Sequence, residues 1–486
     1  MTAFRPGVSG TAIFFPHLRV RLEDWCEWTG QPWGKVEQVV GRAFRMCGPR
    51  QDAYTMAAGA VLRLIEAHEI DPRDVGQLAL GTESSTDNAI GAVIVKGMVD
   101  EALRSRGLPP LARDCEVPEY KQACLGGVYG LLGAARYLAC DGASRRAIVV
   151  ASDVAEYERG STGEQTQGAG AVAFLLDAKP GMFEIDLARR VGGSTYRALD
   201  FRKPFARHFG PGRDVSSPPR DYPVFNGRYS TACYLDQVTF VLEEYVARSG
   251  VEAAKFWDEV GAVFFHRPYH HLPVQALATA LVRAWALSAD HRDRLRPACE
   301  QAGVDLEVLA AEVQSPDAAL APTGARAATS QPWPQISKVT RSLRRDPAFA
   351  SFKDSRLDLG TEWVREFGNL YTASLPAWLA AGFEDAARRG TKLEGKELLA
   401  VGYGSGDAAE ALRLVAVPGW QDAALRTDIT AALQGAVDLT REEYETLHDG
   451  RGFHTDRPVP GFFVERRGSS DQREPVDVGV DYYALR

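Results

Sequence analysis

Short apolar runs alternate along this chain with longer amphipathic stretches, and this alternation limits the fold more than any other feature. Residues 75–84 ("VGQLALGTES") predict a buried strand that ends in a turn, and residues 54–70 have the apolar spacing of a helix. Further strands are predicted at 145–154, 170–177, 259–266 and 396–406. The last of these precedes "DAAEALRLV", which predicts a helix. Repeated strand–helix–strand order predicts an α/β fold with sheets covered by helices.

Length, charge and cysteine content exclude several classes of protein. The 486 residues suffice for roughly two to four domain-sized units, and the net charge of −8 does not suit nucleic acid or an anionic membrane. No apolar run approaches the ~20 residues that span a bilayer, and the first residues lack a signal-peptide pattern. The seven cysteines are odd in number and form no CxxC pair, which predicts a reducing, cytoplasmic location.

The segment "KQACLGG" contains the first candidate for chemistry. If a helix begins near Leu125, the sulfur of Cys124 lies at its amino end, where free N–H groups and the helix dipole favour a thiolate. Gly126 and Gly127 would leave room for a ligand. Position alone leaves two interpretations open, a nucleophile or a small packed side chain.

Two further candidates follow predicted strands. Glu83 lies in the turn after residues 75–81, at the sheet edge where α/β proteins assemble their sites, and His266 ends the strand in "FFHRPY". Taken singly, Glu83 fits a solvated turn residue or helix cap better than a catalytic base, and one histidine at a strand end does not decide between structure and catalysis. His270 and His271 follow, but Pro268 disfavours a shared helical face and no cysteine or carboxylate is near, so we predict no metal site.

The segment "VGYGSGDAAEA" predicts a glycine turn that opens a helix. It lacks the third glycine of a dinucleotide-binding motif because Asp407 occupies that position. The backbone N–H groups of Ser405 and Gly406 could instead hold an oxyanion, and an ordinary tight turn is the structural alternative.

Two stretches have unusual composition. Residues 189–220 contain eight Lys and Arg against two Asp, which suits an acidic partner or a solvated surface. Residues 315–334 are rich in Ala and Pro and predict an exposed loop within a longer insertion at about 289–345.

Taken in order, the segments of this chain resemble the 3-hydroxy-3-methylglutaryl-CoA synthase family of the thiolase superfamily. The resemblance rests on "GTESSTD", "KQACLGG", "ASDVAEY", "GEQTQGAGAVAFLL", "DFRKP", "YPVFNGRYSTACYL", "FFHRPY", "FGNLYTASL" and "GYGSG". It implies a thiolase fold with duplicated βαβαβ halves in a five-layer α/β/α/β/α arrangement, assembled as a homodimer. We expect one half at 1–178 with the Glu and Cys, and the other at 179–486 with the His and the insertion.

The resemblance also implies a mechanism. Cys124 takes an acetyl group from acetyl-CoA, and Glu83 removes a proton from its methyl group and later protonates the product alkoxide. The resulting carbon attacks the ketone of acetoacetyl-CoA, whose thioester is placed by His266 and Asn369. Backbone N–H groups of Cys124 and Ser405 stabilise the acyl oxygen, and water releases the product. No metal or redox cofactor is expected.

Five further positions match residues that line or support the site of the family. They are Ser161, Ser230, Tyr371, Asp153 and Asp200. For the two aspartates, a purely structural hydrogen-bonding role stays open.

The chain departs from the family pattern near the nucleophile and after the histidine. Leu125 stands for the usual Tyr and Val128 for Thr or Ser; Gln165 replaces a Pro and Asn226 an Asp. Where the family has lysines that contact CoA phosphates, this chain has His271 and Gln275, neither of which is a permanent cation. Either Arg267 and the basic 189–220 stretch supply that charge, or the acyl carrier is not simply CoA.

Three functions therefore stay open from the sequence. The first is a synthase acting on acetyl-CoA and acetoacetyl-CoA in a mevalonate-type pathway. The second performs the same addition on a β-ketoacyl group held by an acyl carrier protein, as in polyketide β-branching. The third is a catalytically altered thiolase-fold scaffold, which the joint presence of Glu83, Cys124 and His266 disfavours.

Overall fold

The computed structural model describes residues 5–85, 90–203, 222–315, 332–450, 461–470 and 476–486. Its strands are β1 (Gly7–Phe14), β2 (Leu18–Arg21), β3 (Ala43–Met46), β4 (Val75–Gly81), β5 (Glu119–Tyr120), β6 (Arg146–Ala155), β7 (Gly168–Asp177), β8 (Phe183–Ser194), β9 (Ala262–Phe265), β10 (Leu398–Gly404), β11 (Ala408–Ala416), β12 (Val437–Asp438), β13 (Phe462–Arg467) and β14 (Asp481–Leu485).

The helices are α1 (Leu22–Thr29), α2 (Trp33–Val39), α3 (Ala53–Ala67), α4 (Gly91–Ser105), α5 (Gly126–Ala139), α6 (Gly227–Ser249), α7 (Ala253–Glu259), α8 (His271–Leu287), α9 (Arg296–Ala302), α10 (Leu306–Gln314), α11 (Pro334–Leu343), α12 (Pro347–Leu357), α13 (Thr361–Val364), α14 (Ser374–Arg389), α15 (Trp420–Leu425), α16 (Ile429–Leu433) and α17 (Arg441–His448). None of these described helices is long and apolar enough to cross a bilayer.

Nine strands form one sheet in the order β5-β4-β6-β7-β1-β8-β11-β10-β9. Its first five strands and its last four repeat one topology, in which β8, β9, β10 and β11 correspond to β1, β4, β6 and β7. In both groups the last strand in sequence is antiparallel to its neighbours, whereas β4 and β6, like β9 and β10, run parallel. This repeat agrees with the expected duplicated halves; the domain limits 1–178 and 179–486 stay a prediction.

Helices cover both strand groups, with α5 and α14 between them. α3 packs on β1, β6 and β7 from one side, and α6 packs on β8 and β11 from the other. Because side chains alternate along a strand, Ile148 and Val150 of β6 join the core beneath α3, whereas Val149 and Ala151 join the larger core that contains α5 and α14. β6 is apolar on both faces, as expected for a strand buried on both sides.

The prediction of a helix in "DAAEALRLV" is wrong, because Ala408–Ala416 is strand β11, paired along its length with β10 and β8. Ala, Leu, Glu and Arg favour a helix locally, but two neighbouring strands satisfy the backbone here. Glu410 and Arg413 confirm that setting, since they bind Arg190 and Glu397 across the sheet. The glycine turn therefore joins two strands of a hairpin.

The insertion at about 289–345 contributes helices on either side of the loop predicted at 315–334. α9, α10 and α11 pack together and against α8, and Trp333 is buried just before α11. The middle of the predicted loop, 316–331, lies outside the described residues. The described part of this region therefore belongs to the core.

Candidate active site

Cys124 and Glu83 meet where the ends of β4 and the start of α5 converge. The thiol of Cys124 donates a hydrogen bond to Glu83 Oε1 at 3.3 Å. α5 begins two residues after Cys124, and Ala123 has φ of +43°, in the left-handed region. That conformation costs a non-glycine residue roughly 1–2 kcal/mol, and here it forms the sharp turn that precedes Cys124.

The glycines around Cys124 allow backbones to approach, and their positions correct the expectation that they leave space for a ligand. A Cβ on Gly127 would lie 2.6 Å from Thr372 O, and one on Gly126 would lie 2.7 Å from Tyr120 O. A Cβ on Gly81, the last residue of β4, would lie 2.6 Å from Gly127 N. Close backbone packing at these three glycines holds the start of α5 against the Glu83 turn.

The electrostatics of Cys124 differ from the expected thiolate. Burial raises the pKa of the thiol well above its usual value, and the negative charge of Glu83 raises it further. Lys203, whose Nζ lies 4.7 Å from the Tyr371 ring centre, opposes this effect. The thiol is therefore protonated at neutral pH until a substrate arrives, and its reaction requires transfer of that proton.

Asp153, at the end of β6, holds two segments of the site together. One oxygen accepts hydrogen bonds from Thr82 Oγ1 at 2.9 Å and from the Glu83 N–H at 2.8 Å. The other accepts from the N–H and hydroxyl of Thr372 at 2.9 and 2.5 Å. Burial raises the pKa of this carboxyl, and the bonds from Thr372 oppose that shift. Both oxygens of Asp153 are thus engaged in positioning Glu83 and the Thr372 loop.

The segment after Phe367 closes the site from the second half of the chain. Asn369 is buried, and its Oδ1 accepts from the Tyr371 N–H at 3.0 Å and the Ser374 hydroxyl at 2.9 Å. Tyr371 has φ of +44° and packs edge-on against Tyr157, within the cluster that contains Cys124. Asn369 therefore fixes the turn that brings the Tyr371 ring beside the nucleophile.

His266 directly follows β9 and is buried. Burial lowers the pKa of its imidazole to about 3, so the ring is neutral at physiological pH. Of the two ring nitrogens, only Nδ1 is both enclosed and without a hydrogen-bond partner. The ring stacks on Tyr403 with centroids 6.4 Å apart. A neutral imidazole with its proton on Nε2 can donate a hydrogen bond to a carbonyl oxygen.

Asp200 anchors the glycine turn after β10. Its carboxylate accepts hydrogen bonds from Tyr403 Oη and from the Gly406 N–H, both at 2.9 Å. Burial raises the pKa of Asp200, and its hydrogen bonds oppose that shift. The Gly406 N–H is therefore occupied, which leaves Ser405 as the candidate donor to an oxyanion.

A cavity of about 290 Å³ extends from this turn to the start of α8. Tyr157, Phe201 and Ser405 line it, and the part beside Tyr157 and Phe201 is here called its inner end because these two residues belong to the cluster that contains Cys124. The part lined by Val40 and Tyr269 is called its outer end. Cys124 itself is not among the lining residues, so a ligand in the cavity would lie beside its cluster.

The two predicted serines differ in position. Ser230, in the first turn of α6, lines the cavity, and its enclosed hydroxyl lies close enough to Asp200 to lower the pKa of that carboxyl. The hydroxyl of Ser161 is enclosed without a partner, but Ser161 does not line the cavity. Ser230 is thus placed to meet a ligand, whereas the structure gives Ser161 no such contact.

Sequence reasoning missed α17, which buttresses the 157–167 loop from the C-terminal region. His448 Nε2 lies 2.8 Å from Tyr157 O, and Tyr444 Oη donates to Glu164 Oε1 at 2.6 Å. Gln167 Nε2 donates to the same tyrosine oxygen at 3.1 Å. The signal was present in "REEYETLH", since Tyr444 and His448 are four residues apart on one face of an otherwise charged helix.

The departures near the nucleophile face the core. Leu125 and Val128 are fully buried, and a Cβ on Gly402 of β10 would lie 2.5 Å from Leu125 Cδ1 and 3.0 Å from Val128 Cγ2. The side chain of Val128, which stands for Thr or Ser, therefore packs on β10. Leu125 fills the space above the same glycine.

The arginines proposed to supply the charge of the missing lysines largely have partners within the protein. Arg267 is buried and donates to Val364 O at 2.6 Å, and burial lowers its pKa to about 9. Arg189, Arg190 and Arg197 bind Glu397, Glu410 and Asp236, respectively. Most of the rest of the basic stretch, 204–220, lies outside the described residues. Within the described residues, none of these four arginines is a free surface cation.

Known proteins resemble this chain both in sequence and in fold. A family model described as "Hydroxymethylglutaryl-coenzyme A synthase N terminal" matches residues 5–180. Hydroxymethylglutaryl-CoA synthase of Haloferax volcanii is 26% identical over 405 residues, which cover 82% of this chain and 80% of that protein. Along most of its length, the chain is thus similar to the hydroxymethylglutaryl-CoA synthases. It is a condensing enzyme of the hydroxymethylglutaryl-CoA synthase type, an acyltransferase that forms a carbon–carbon bond.

Solved structures confirm the thiolase fold of this chain. MvaS in complex with 3-hydroxy-3-methylglutaryl coenzyme A has a TM-score of 0.74 and 24% identity, with 99% of each chain covered. The hydroxymethylglutaryl synthase of the curacin biosynthetic pathway, in complex with holo donor-ACP, has a TM-score of 0.69 and 18% identity, covering 99% of this chain and 100% of that one. The predicted α/β class and thiolase fold are thus confirmed.

Proposed function

We propose that this synthase joins an acetyl group to the β-ketone of acetoacetyl-CoA in three steps, with Cys124 as nucleophile and Glu83 as acid and base. The observation that carries the proposal is the 3.3 Å contact between the Cys124 thiol and Glu83 Oε1, held by Asp153 at the inner end of the cavity. No step requires a metal or redox cofactor.

In the first step the Cys124 sulfur attacks the thioester carbonyl of acetyl-CoA. The new carbon–sulfur bond forms as the bond to CoA breaks, and the thiol proton ends on the departing CoA sulfur. We propose that the Ser405 N–H donates to the developing oxyanion from its place beside the cavity. The raised pKa of Cys124 keeps the thiol protonated between turnovers.

In the second step Glu83 removes a proton from the acetyl methyl group. The resulting carbon attacks the ketone of the acceptor, and the protonated Glu83 returns its proton to the alkoxide. We propose that neutral His266, with its proton on Nε2, donates a hydrogen bond to an acceptor carbonyl. In the third step water cleaves the thioester to Cys124, releasing a carboxylate and regenerating the thiol.

The test is acetylation followed by condensation in two variants. Cys124→Ser is expected to show no acetyl group by mass spectrometry after exposure to acetyl-CoA. Glu83→Ala is expected to acetylate, because the substitution also removes the charge that raises the Cys124 pKa. The variant should then stall before condensation, because no base takes a proton from the acetyl methyl group. Normal condensation by Glu83→Ala would refute the assigned base, and absence of acetylation in the wild type would indicate a scaffold.

We also propose a homodimer and a cytoplasmic location. Exposed apolar side chains of Ile90, Val478 and Val480 line one surface cavity and support a subunit interface, since large apolar side chains are seldom clustered on a monomer surface. All seven cysteines are free, which supports a reducing compartment. Sedimentation equilibrium of the full chain tests the assembly, and a monomer at micromolar concentration would refute it.

A further inference from the structure

The end of α11 presents basic side chains without acidic partners. Lys338, Arg341, Arg344 and Arg345 make no ion pair within the described part of the chain, and Arg341 and Arg345 are exposed. Nearby arginines differ in this respect, since Arg296 pairs with Asp293 at 2.6 Å. Four cations without an acidic partner among the described residues thus lie along α11 and directly after it.

Arg344 is the member of this set that is drawn into the protein. Its guanidinium contacts His271 Nε2 at the start of α8, and its Nε is enclosed without an acceptor. Burial and the charges of Arg341 and Arg345 lower the pKa of Arg344. The helix dipole favours a cation at this end, but it does not satisfy an enclosed N–H group. An anion would satisfy both the charge and the donor.

Arg344 is linked to the outer end of the cavity that leads to Cys124. His271, which Arg344 contacts, lies between Tyr269 and Leu272 in sequence, and both of these residues line that end. Thr231, on α6, lines the same end of the cavity. A ligand that places a thioester beside Cys124 and extends outward along this cavity would therefore carry its other end towards Arg344.

We propose that Arg344 binds a phosphate group of the acyl carrier and thereby determines which thioesters this enzyme accepts. The ligand chemistry is a pantetheine thioester whose far end bears a phosphate ester, supplied either by a CoA thioester or by a phosphopantetheine arm on a carrier protein. The inference rests on the proposed function, since it assumes that the thioester reacts at Cys124.

The first test compares donors with and without phosphate. Acetylation of Cys124 is followed by mass spectrometry with acetyl-CoA, with an acetylated holo carrier protein and with acetyl-pantetheine, which lacks phosphate. Arg344→Gln is expected to lower kcat/KM about tenfold for the phosphate-bearing donor that the enzyme uses, mainly through KM, because a charge-assisted hydrogen bond is lost. Acetyl-pantetheine is expected to react equally with the variant and the wild type.

The comparison of the two phosphate donors identifies the source. A loss confined to acetyl-CoA assigns the phosphate to CoA, and a loss confined to the carrier protein assigns it to the phosphopantetheine arm. Arg344→Lys should recover part of the loss for the same donor. Arg296→Ala, a charge removal on α9 of the same region, should leave all donors unchanged.

Two results would overturn the inference. An equal loss for acetyl-pantetheine would show that Arg344 acts only through the structure, and no loss for any donor would show that it does not contact phosphate. Thermal unfolding of each variant distinguishes misfolding from either result. Arg344→Lys adds a second control, because it changes the side chain while keeping its charge. If the wild type acetylates with no donor, the proposed function itself fails, and that outcome is distinct from both.

Discussion

Replacement of Asp153 by Asn tests the positioning of Glu83 with minimal change in shape. The carboxylate accepts four hydrogen bonds, two from the Glu83 turn and two from Thr372. An amide offers one oxygen, so in either orientation its NH₂ group faces two donors. Two of the four accepted bonds are therefore lost, and each bond to a charged group contributes about 1.5–3 kcal/mol.

The net loss is smaller than the sum of two such bonds. Burial raises the pKa of Asp153, so a neutral amide is less costly to enclose than the carboxylate. The Thr372 hydroxyl also has a second acceptor in Gly81 O at 3.0 Å. We expect Asp153→Asn to lower the free energy of unfolding at pH 7 by about 2–4 kcal/mol. Condensation should fall by more than acetylation, because Glu83 acts chiefly in condensation.

The measurement combines urea unfolding with the two partial reactions. Asp177→Asn is the matched control, since Asp177 pairs with Arg146 at 2.8 Å and this partly exposed pair should contribute less than about 1 kcal/mol. A change below about 1 kcal/mol in Asp153→Asn, or equal losses in acetylation and condensation, would contradict the role assigned to Asp153.

Three further predictions concern the core and the loops of the site. The pKa of His266 is about 3 in the folded chain and about 6.5 in the unfolded chain, so its protonation favours unfolding as the pH falls below 6.5. His266→Gln should therefore remove about 1.4 kcal/mol of acid destabilisation per pH unit between pH 6.5 and 4.5, as measured by urea unfolding. His448→Ala should speed amide hydrogen exchange around Tyr157 and raise KM for the donor; unchanged exchange would contradict the contact. Gly402→Ala should destabilise the fold by about 1–3 kcal/mol, with Leu125→Ala restoring part of that loss in the double variant.

Periodicity predicted most of the elements that build the site. The helix at 54–70 is α3, and the strands at 75–84 and 145–154 are β4 and β6, since each has an apolar pattern that only one kind of structure can bury. The segment at 408–416 was mispredicted because its residues favour a helix and its strand partners, β8 and β10, lie far away in sequence.

Motif resemblance predicted Glu83, Cys124 and Asp153 as site residues but not what their side chains contact. A motif carries residue types, whereas the pKa of Cys124 depends on burial and on the carboxylate that folding places 3.3 Å away. The same limit applies to α17. Its contacts with the 157–167 loop join residues nearly 300 positions apart, which no local pattern encodes.

The departures from the family pattern lie at different distances from the cavity. Leu125 stands beside Cys124 in sequence, yet its side chain packs on Gly402 in the core, so its effect on a ligand is indirect. Arg344 is distant in sequence but contacts His271, one of the two positions where the resemblance implies a phosphate-binding lysine. A cation supplied from α11 in place of that lysine keeps a positive charge at the outer end of the cavity while moving it to another helix. Selectivity between thioester carriers should therefore change more in Arg344→Gln than in Leu125→Tyr. Competition between acetyl-CoA and an acetylated carrier protein, carried out with both variants, measures the difference.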